Sequence, residues 1–210
     1  IYTLSLHDAL PISTSTLNSA YQPHSPYSAS KAGSDHLVRA YGDTYGLAYT
    51  ITNCSNNYGP YQFPEKLFAL AITNLLTGKK IPLYGDGLNV RDWLYVGDHV
   101  LAIEAVLDSG LKNQTFLIGG LRQEVSNRQV LEIIAQQMGA NPDEVIELVT
   151  DRPGHDRRYS IDWSATATTL NWQPQVTLEA GIALTIDWYR QNQAWWQPLL
   201  KTAQLDNKES

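Results

Sequence analysis

The stretch from Ser25 to Asn53 restricts the fold more than any other part of the sequence. Ser25-Pro26 predicts a helix start, because serine caps helices well and proline is favoured at the first helical position. A helical stripe follows, formed by Ala29, Ala32, His36, Leu37, Ala40 and Tyr41. The predicted helix runs to about Tyr45 and ends at Gly46, and Leu47–Asn53 then has the β-branched and aromatic content of a buried strand. A helix leading directly into such a strand is half of a βαβ unit, so the sequence predicts an α/β fold.

Helix and strand patterns alternate through the rest of the chain. Further helices are predicted over Phe63–Thr77, Asp98–Leu107, Ser126–Met138, Ser164–Leu170 and Leu178–Gln191, and further strands over Ile81–Tyr84, Asn89–Val96, Gln114–Ile118 and Val145–Val149. After Trp196 the sequence turns polar and is expected to fray. The glycine-rich fingerprint of a dinucleotide-binding loop is not found, since Gly85-Asp-Gly87 and Gly119-Gly120 lack its spacing.

Composition argues against several classes of protein. The 210-residue chain has a net charge of −6 and a pI near 5.3, which argues against binding to a nucleic-acid backbone. No apolar run reaches the roughly 20 residues that span a bilayer, so no membrane segment is predicted. Cys54 is the single cysteine and can form neither an intramolecular disulfide nor a thiolate zinc site. This suits a cytoplasmic protein, and no metal site is predicted.

Tyr27 and Lys31 are the first candidates for chemistry. They are four residues apart, so on a helix they lie on one face about one turn apart. A cation this close to a phenol favours the phenolate and makes the tyrosine a candidate base. With 12 tyrosines in the chain, chance alone supplies roughly 0.4 pairs of this spacing. The pair by itself is therefore a weak motif.

Two other segments are candidate ligand sites. Cys54–Tyr61 is a polar loop at the predicted carboxyl end of a strand, where open α/β sheets bind ligands. Its adjacent amides, Asn56 and Asn57, suit a carboxamide or sugar hydroxyls, although an ordinary Asn/Gly/Pro turn explains the same composition. Asp151–Tyr159 carries three arginines and a histidine around a Pro-Gly turn, which suits a diphosphate. A solvated loop whose arginines pair with its own aspartates explains that segment as well.

Five blocks of the sequence occur in the order found in one enzyme family. They are Ser25-Pro-Tyr-Ser-Ala-Ser-Lys31, Asn53-Cys-Ser-Asn-Asn-Tyr-Gly-Pro60, Phe63-Pro-Glu-Lys-Leu67, Arg91-Asp-Trp-Leu-Tyr-Val96 with Asp98-His99, and Asp151-Arg-Pro-Gly-His-Asp-Arg-Arg-Tyr159. Together they resemble the dTDP-glucose 4,6-dehydratases, which are NAD-dependent enzymes of the extended short-chain dehydrogenase/reductase class. Tyr-x-x-x-Lys marks only the superfamily, whereas the third and fifth blocks are much more specific. The resemblance extends roughly from Tyr21 to Tyr189.

The resemblance implies a reaction and a role for the tyrosine–lysine pair. Such an enzyme converts dTDP-glucose to dTDP-4-keto-6-deoxyglucose with loss of water, and the hydride is held transiently on NAD. Tyr27 would take the proton from the sugar 4-hydroxyl, and Lys31 would bind the nicotinamide ribose and hold the phenol acidic. Tyr27, Lys31 and Asn57 would contact NAD. The 4-keto group acidifies the C5 proton, water leaves from C5 and C6, and the hydride returns to C6.

The resemblance also implies substrate contacts. Asn56, Lys66 and Leu67 would contact the sugar and diphosphate. Pro82 and Tyr84 would border the thymine, the tyrosine by stacking. Arg91 and the loop from Asp151 to His155 would hold the diphosphate and nucleoside, and Asn127 would be a further contact. The loop contributes Asp151, Arg152, Pro153, Gly154 and His155.

The implied architecture is the C-terminal part of a Rossmann-type parallel sheet with a smaller α/β substrate-binding domain. Residues 14–60 and about 86–120 would be the remainder of the NAD-binding domain, about 61–85 and 121–195 the sugar-nucleotide-binding domain, and 196–210 a tail. Residues 1–13 match no pattern and are interpreted as a non-native scar. The family's N-terminal Rossmann half, with a glycine-rich loop and a Thr-Asp-Glu segment for the elimination, is expected to be missing.

The leading hypothesis is a truncated dehydratase that is inactive alone and whose full-length form is a homodimer. One alternative is another NAD-dependent sugar-nucleotide epimerase or decarboxylase, but Pro64-Glu-Lys-Leu67 and Asp151–Tyr159 argue against it. The other alternative is a non-catalytic truncated fragment that at most binds nucleotide weakly or dimerises. A parallel sheet without its first strands would expose an edge and apolar surface, so poor solubility is expected.

Overall fold

A computed structural model describes residues 14–23, 25–120, 125–151 and 158–206. Its helices are α1 Pro26–Tyr45, α2 Leu67–Leu76, α3 Val96–Asp108, α4 Asn127–Gln137, α5 Pro142–Val145, α6 Ser164–Leu170, α7 Leu178–Gln191, α8 Gln193–Trp196 and α9 Leu199–Asp206. Its strands are β1 Thr50–Cys54, β2 Asn56–Tyr58, β3 Ile81–Tyr84, β4 Val90–Arg91, β5 Trp93–Tyr95, β6 Gln114–Ile118, β7 Val125–Ser126, β8 Ile146–Val149 and β9 Arg158–Tyr159.

Capping residues explain where two helices begin. The Ser25 hydroxyl accepts a hydrogen bond from the Ser28 N–H, and Pro26 occupies the first turn of α1. Gly46 ends this helix with a φ of 68°, a left-handed conformation that glycine adopts without steric cost. Ser126 and Gln129 form a reciprocal capping box at the start of α4. The predicted starts of both helices are therefore confirmed.

The described residues group into two compact units. The first unit contains residues 14–23, 25–57, 90–120 and 158–175, and the second contains 58–89, 125–151 and 176–206. The assignment of NAD binding and sugar-nucleotide binding to separate domains stays a prediction.

A parallel strand pair lies at the centre of the first unit. β1 pairs with β6 in a register that runs from Thr50 opposite Gln114 to Cys54 opposite Ile118. Helix α3 packs on β1 and helix α6 on β6. A buried core is formed by Cys54, Leu94, Ala102, Ile118, Trp163 and Trp172. Because β1 and β6 end together, the residues that follow them lie side by side at the carboxyl edge of the pair.

The second unit combines another parallel pair with three helices. β3 pairs with β8, from Ile81 opposite Ile146 to Tyr84 opposite Val149. Helices α2, α4 and α7 pack on one another. Their contact surfaces are apolar and buried, with Phe68, Ile72, Val130, Leu131, Ile134, Ile182 and Ile186. Both units thus show the α/β organisation with parallel strands that the sequence predicts.

The structure corrects the predicted face of α1. The buried residues of this helix are Ser28, Ala32 and Asp35, whereas the predicted apolar stripe is exposed apart from Ala32. Leu37 and Tyr41 are 62% and 54% exposed. The apolar periodicity does mark one face of a helix, but the first unit buries a neighbouring, more polar face that shares only Ala32 with it.

The observed ends of several helices and strands also differ from the predicted ones. The strand predicted over Asn89–Val96 is interrupted at Asp92 and separates into β4 and β5. The helix predicted from Phe63 begins at Leu67, since a residue before proline disfavours helical backbone. The predicted loop after Cys54 contains the short strand β2, and the predicted fraying after Trp196 is wrong over Leu199–Asp206, which is helical.

No helix among the described residues is long and apolar enough to cross a membrane. The same part of the chain contains no group of three or more His, Cys, Asp or Glu residues placed to hold a metal ion.

Candidate active site

The tyrosine–lysine pair lies in the first two turns of α1. Tyr27 is 61% exposed, and the Lys31 Nζ lies 5.7 Å from the centroid of its ring. The Tyr27 carbonyl accepts a hydrogen bond from the Ser30 hydroxyl. The four-residue spacing therefore places the cation beside the phenol, as predicted, and leaves the phenol accessible to a ligand.

A polar network holds α1 against the strand pair of the first unit. The buried Asp35 carboxylate accepts hydrogen bonds from the Tyr21 hydroxyl at 2.7 Å and the Asn53 amide at 3.1 Å. Arg39 donates to the Tyr21 hydroxyl and to the Thr115 hydroxyl, both at 3.1 Å. Asn53 is on β1 and Thr115 on β6, so this network fixes the helix on both strands. It thereby fixes the position of the Tyr27–Lys31 pair.

The two candidate amides follow directly after β1. Asn57 Nδ2 donates to the Ser55 carbonyl at 3.1 Å and lies 3.2 Å from Cys54 Sγ. The Asn56 N–H donates to the Asp92 carbonyl at 3.1 Å. The Asn57 side chain is therefore held by its own loop, at the strand end where ligands bind in α/β proteins.

Arg91 and Asp92 are buried charged residues of the same unit. Arg91 is 8% exposed, and its Nη1 donates to the Val90 carbonyl at 2.9 Å. Asp92 is 7% exposed, and both of its carboxylate oxygens lie 3.1 Å from the Gly120 nitrogen. Burial raises the pKa of Asp92 to about 7, because removal from water disfavours the charged form, and the Gly120 N–H opposes this rise.

His99, in the first turns of α3, is 1% exposed. Neither of its ring nitrogens has a hydrogen-bond partner among the residues that the structure describes. Burial lowers the pKa of His99 to about 4, since the cationic form loses its hydration.

The low pKa of His99 predicts acid destabilisation. The unfolded chain binds a proton near pH 6.5 and the folded chain only near pH 4, so protonation favours unfolding as the pH falls through this window. Each fall of one pH unit within this window lowers the free energy of unfolding by up to about 1.4 kcal/mol. We expect His99→Gln to remove this contribution, as measured by urea unfolding at pH 4.5, 5.5 and 6.5. His36→Gln, which changes an exposed imidazole on α1, is the matched control; equal slopes in both variants would contradict the prediction.

The remaining candidates that the structure describes lie in the second unit. Pro82 and Tyr84 are half-buried on β3, and Lys66 precedes α2 with its Nζ 2.5 Å from Glu65 Oε1. Leu67 is the first residue of α2. Asp151 packs against the turn after β3, because a Cβ added to Gly85 would lie 2.8 Å from Asp151 Oδ2.

Asn127 opens α4, and its N–H donates to the Asn89 carbonyl at 2.9 Å. Its side-chain oxygen is buried without a hydrogen-bond partner among the described residues, as expected of a group that meets a ligand. Arg152, Pro153, Gly154 and His155 lie outside the described residues.

Sequence reasoning missed two groups that shape the site, the Asp35 network and Asp92. Asp35 follows Ser28 and Ala32 at helical spacing, so a periodicity that included small and polar residues would have placed it on the buried face. Asp92 is part of the block Arg91–Val96 that resembles the family, but nothing in its neighbours along the chain predicts that its carboxylate accepts the Gly120 N–H.

Comparison with known proteins places this arrangement in a family. The family model described as GDP-mannose 4,6 dehydratase matches residues 11–185. The chain belongs to this family. It matches a dTDP-glucose 4,6-dehydratase of Xanthomonas campestris pv. campestris (strain B100) with 52% identity over 193 residues, and one of Escherichia coli with 49% over 195. The resemblance inferred from the sequence blocks is confirmed.

Solved structures agree with this placement in the GDP-mannose 4,6 dehydratase family. The dTDP-glucose 4,6-dehydratase of Streptomyces venezuelae, solved with NAD and TYD bound, has a TM-score of 0.86 at 47% identity and is matched over 91% of this chain and 59% of its own. The UDP-glucose 4-epimerase of Thermotoga maritima, solved with UDP-glucose, has a TM-score of 0.84 at 26% identity, over 91% and 62%. The chain has the fold of a Rossmann-type sugar-nucleotide enzyme over the part that it covers.

The chain spans about half the length of the curated relatives. The match to the Xanthomonas protein covers 88% of this chain and 55% of the relative, and the match to the Escherichia coli protein covers 88% and 54%.

Proposed function

We propose that this chain carries the catalytic base and part of the NAD- and nucleotide-sugar-binding residues of a dTDP-glucose 4,6-dehydratase. The observation that carries the proposal is the accessible Tyr27 phenol with Lys31 Nζ 5.7 Å from its ring centroid, on a helix fixed to two parallel strands. Relatives of about 50% identity that bear this name support it.

The residues of the first unit fit NAD. Lys31 offers a cation to ribose hydroxyls. Asn57, whose amide nitrogen donates within its own loop, offers its amide oxygen to a carboxamide at the carboxyl end of β1. Tyr27 is close enough to Lys31 to meet the same ligand. When bound, NAD supplies a reversible acceptor for hydride from the sugar. Solved relatives contain NAD, which supports the assignment.

In this proposal Tyr27 removes the proton from the sugar 4-hydroxyl, and Lys31, whose Nζ lies 5.7 Å from the Tyr27 ring centroid, binds the nicotinamide ribose. With the C4 hydride accepted by bound NAD, the sugar would become a 4-keto sugar, whose carbonyl acidifies the proton on C5. Loss of hydroxide from C6 then gives water once an acid supplies a proton. Return of that hydride to C6 after loss of water would give the 6-deoxy product. We assign the acid and base of that elimination to the family's Thr-Asp-Glu segment, for which residues 14–26 offer no counterpart.

We assign the nucleotide-sugar contacts to the residues that the family resemblance implies. Tyr84 and Pro82 border the thymine, and Asn127 offers its buried side-chain oxygen. Asn56, Lys66 and Leu67 contact the sugar and diphosphate. Arg91 and Asp151, with Arg152, Pro153, Gly154 and His155, hold the diphosphate and nucleoside.

The direct test joins residues 14–210 to the preceding part of the Xanthomonas campestris relative. We expect this chimera to convert dTDP-glucose to a 4-keto-6-deoxy product, detected by mass spectrometry, whereas the 210-residue chain alone gives none. An epimerised UDP-sugar from UDP-glucose, without dehydration of dTDP-glucose, would favour the epimerase alternative. A folded chimera without either activity would support a non-catalytic fragment, and turnover by the chain alone would refute the predicted inactivity.

We also propose that the full-length protein is a homodimer through α1. The outer face of this helix exposes apolar side chains, with Leu37 at 62%, Tyr41 at 54% and Tyr45 at 68%. Contiguous apolar exposure of this kind is typical of a protein interface. We expect Leu37→Glu to shift the chimera from dimer to monomer in analytical ultracentrifugation. Leu107→Glu, which alters a side chain 74% exposed on α3, is the control and should leave the dimer intact.

A further inference from the structure

Asp92 connects three segments of the first unit through its main chain. It stands between β4 and β5, where the predicted strand is interrupted. Its N–H donates to the Tyr159 carbonyl at 3.0 Å, and its carbonyl accepts the Asn56 N–H at 3.1 Å. The residue is therefore tied both to β9 and to the loop that carries the candidate amides.

The Asp92 side chain fills the space above two glycines at the end of β6. A Cβ added to Gly119 would lie 2.7 Å from Asp92 Oδ2, and one added to Gly120 would lie 2.8 Å from Oδ1 and overlap the Trp93 carbonyl. The Gly120 N–H donates to both carboxylate oxygens.

Two further hydrogen bonds connect the end of β6 with Asn57. The Ser55 N–H donates to the Ile118 carbonyl at 2.9 Å, so the loop after β1 is attached to the end of β6 two residues before Gly120. The Asn57 amide in turn donates to the Ser55 carbonyl. Bonds along the chain and hydrogen bonds thus connect the Gly119–Gly120 segment with Ser55 and the Asn57 side chain.

We propose that Asp92 is a positioning residue whose carboxyl group fixes the end of β6 and, through Ser55, the orientation of the Asn57 amide. The inference deepens the proposed function, because that function gives Asn57 its role toward NAD. Asp92 itself is not assigned a contact with substrate or cofactor.

Ionisation of the Asp92 carboxyl group can be used to probe its hydrogen bond with the Gly120 N–H. Burial raises the pKa of Asp92 to about 7, so its charge changes near neutral pH. The Tyr159 phenol, whose pKa is raised by burial, interacts electrostatically with Asp92, and also with the Cys54 thiol and the Arg91 guanidinium. A carboxylate accepts a stronger hydrogen bond than a carboxylic acid, so the Gly120 amide proton should respond to this change.

The test uses amide NMR spectra of the 210-residue chain between pH 5.5 and 8.5. We expect the Gly120 N–H to move downfield as the pH rises and the Asn57 side-chain amide to shift with the same midpoint. Asp92→Asn keeps an acceptor of the same size but cannot ionise, so both titrations should disappear while hydrogen exchange at Gly120 stays slow. Asp92→Ala should accelerate exchange at Gly120 and at the Asn57 side chain at least about tenfold.

Asp162→Ala is the matched control: this exposed carboxylate accepts a hydrogen bond from the Ser164 N–H two residues along the chain, and its loss should leave Gly120 and Asn57 unchanged. A Gly120 titration without a matching Asn57 titration would overturn the proposal. So would Asn57 signals that still titrate in Asp92→Asn. If Asp92→Ala does not fold, the comparison of the wild-type chain with Asp92→Asn decides alone. The readout needs no cofactor or substrate, so a failed product assay and a failed titration refute different proposals.

Discussion

Replacing Tyr27 with phenylalanine is expected to lower kcat of the chimera on dTDP-glucose by about 10²–10⁴-fold, the usual contribution of a positioned acid–base group. Phenylalanine keeps the ring but removes the hydroxyl that would accept the 4-hydroxyl proton. Because the side chain is 61% exposed and starts no buried network, we expect the free energy of unfolding to change by less than about 0.5 kcal/mol. Steady-state kinetics and urea unfolding on the same preparation separate these two effects.

The matched control for Tyr27→Phe is Tyr41→Phe. Tyr41 is on the same helix and 54% exposed, but it lies ten residues beyond Lys31, and phenylalanine keeps the ring that the proposed dimer face exposes. Its variant should retain the wild-type kcat. Equal losses in both variants would mean that the phenol of Tyr27 has no special role, and an active Tyr27→Phe chimera would refute the assignment of the base.

Gly120→Ala is expected to destabilise the chain by about 3 kcal/mol or more. The added Cβ would lie 2.6 Å from the Trp93 carbonyl carbon and overlap its oxygen, and neither is the movable end of a side chain. Relief requires β5 or the end of β6 to shift, which also breaks the bond from the Gly120 N–H to Asp92. Urea unfolding of the 210-residue chain at constant pH measures the effect.

Gly33→Ala also adds a methyl group, but at a position where the surrounding packing leaves space for it. Gly33 lies inside α1, and a Cβ added to it would have no atom of another described side chain or loop within 4 Å. Alanine has the higher helix propensity, so this variant should stabilise the chain by about 0.5–1 kcal/mol. Opposite signs for the two substitutions are expected, and a Gly120→Ala chain as stable as the wild type would show that the close approach is relieved easily.

Local signals in the sequence predicted the elements well where their physical cause is local. Ser25, Pro26 and Gly46 bound α1 because caps and backbone preferences act within one turn. The four-residue spacing placed Lys31 beside Tyr27 for the same reason. The β1–β6 register was not predictable, since it pairs residues 64 positions apart, from Thr50 with Gln114 onward.

The buried face of α1 shows where periodicity fails. Leu37 and Tyr41 form an apolar face that a globular helix would normally bury, yet they are exposed, and Asp35 is buried. Asp35 is tolerated there because the Tyr21 hydroxyl and the Asn53 amide satisfy its carboxylate. These partners are 14 and 18 residues away, so no local pattern contains them.

The sequence by itself determined the α/β class, most helix ends, the family resemblance and the candidate base with its lysine, because each depends on residue types at short fixed spacings. Only the tertiary structure decided that Asp35 anchors the base-bearing helix, that Asp92 meets Gly120, and that His99 is buried. Burial and hydrogen-bond satisfaction depend on which distant segments pack together. The same packing sets the ionisation of Asp92 and His99, since it removes their charges from water.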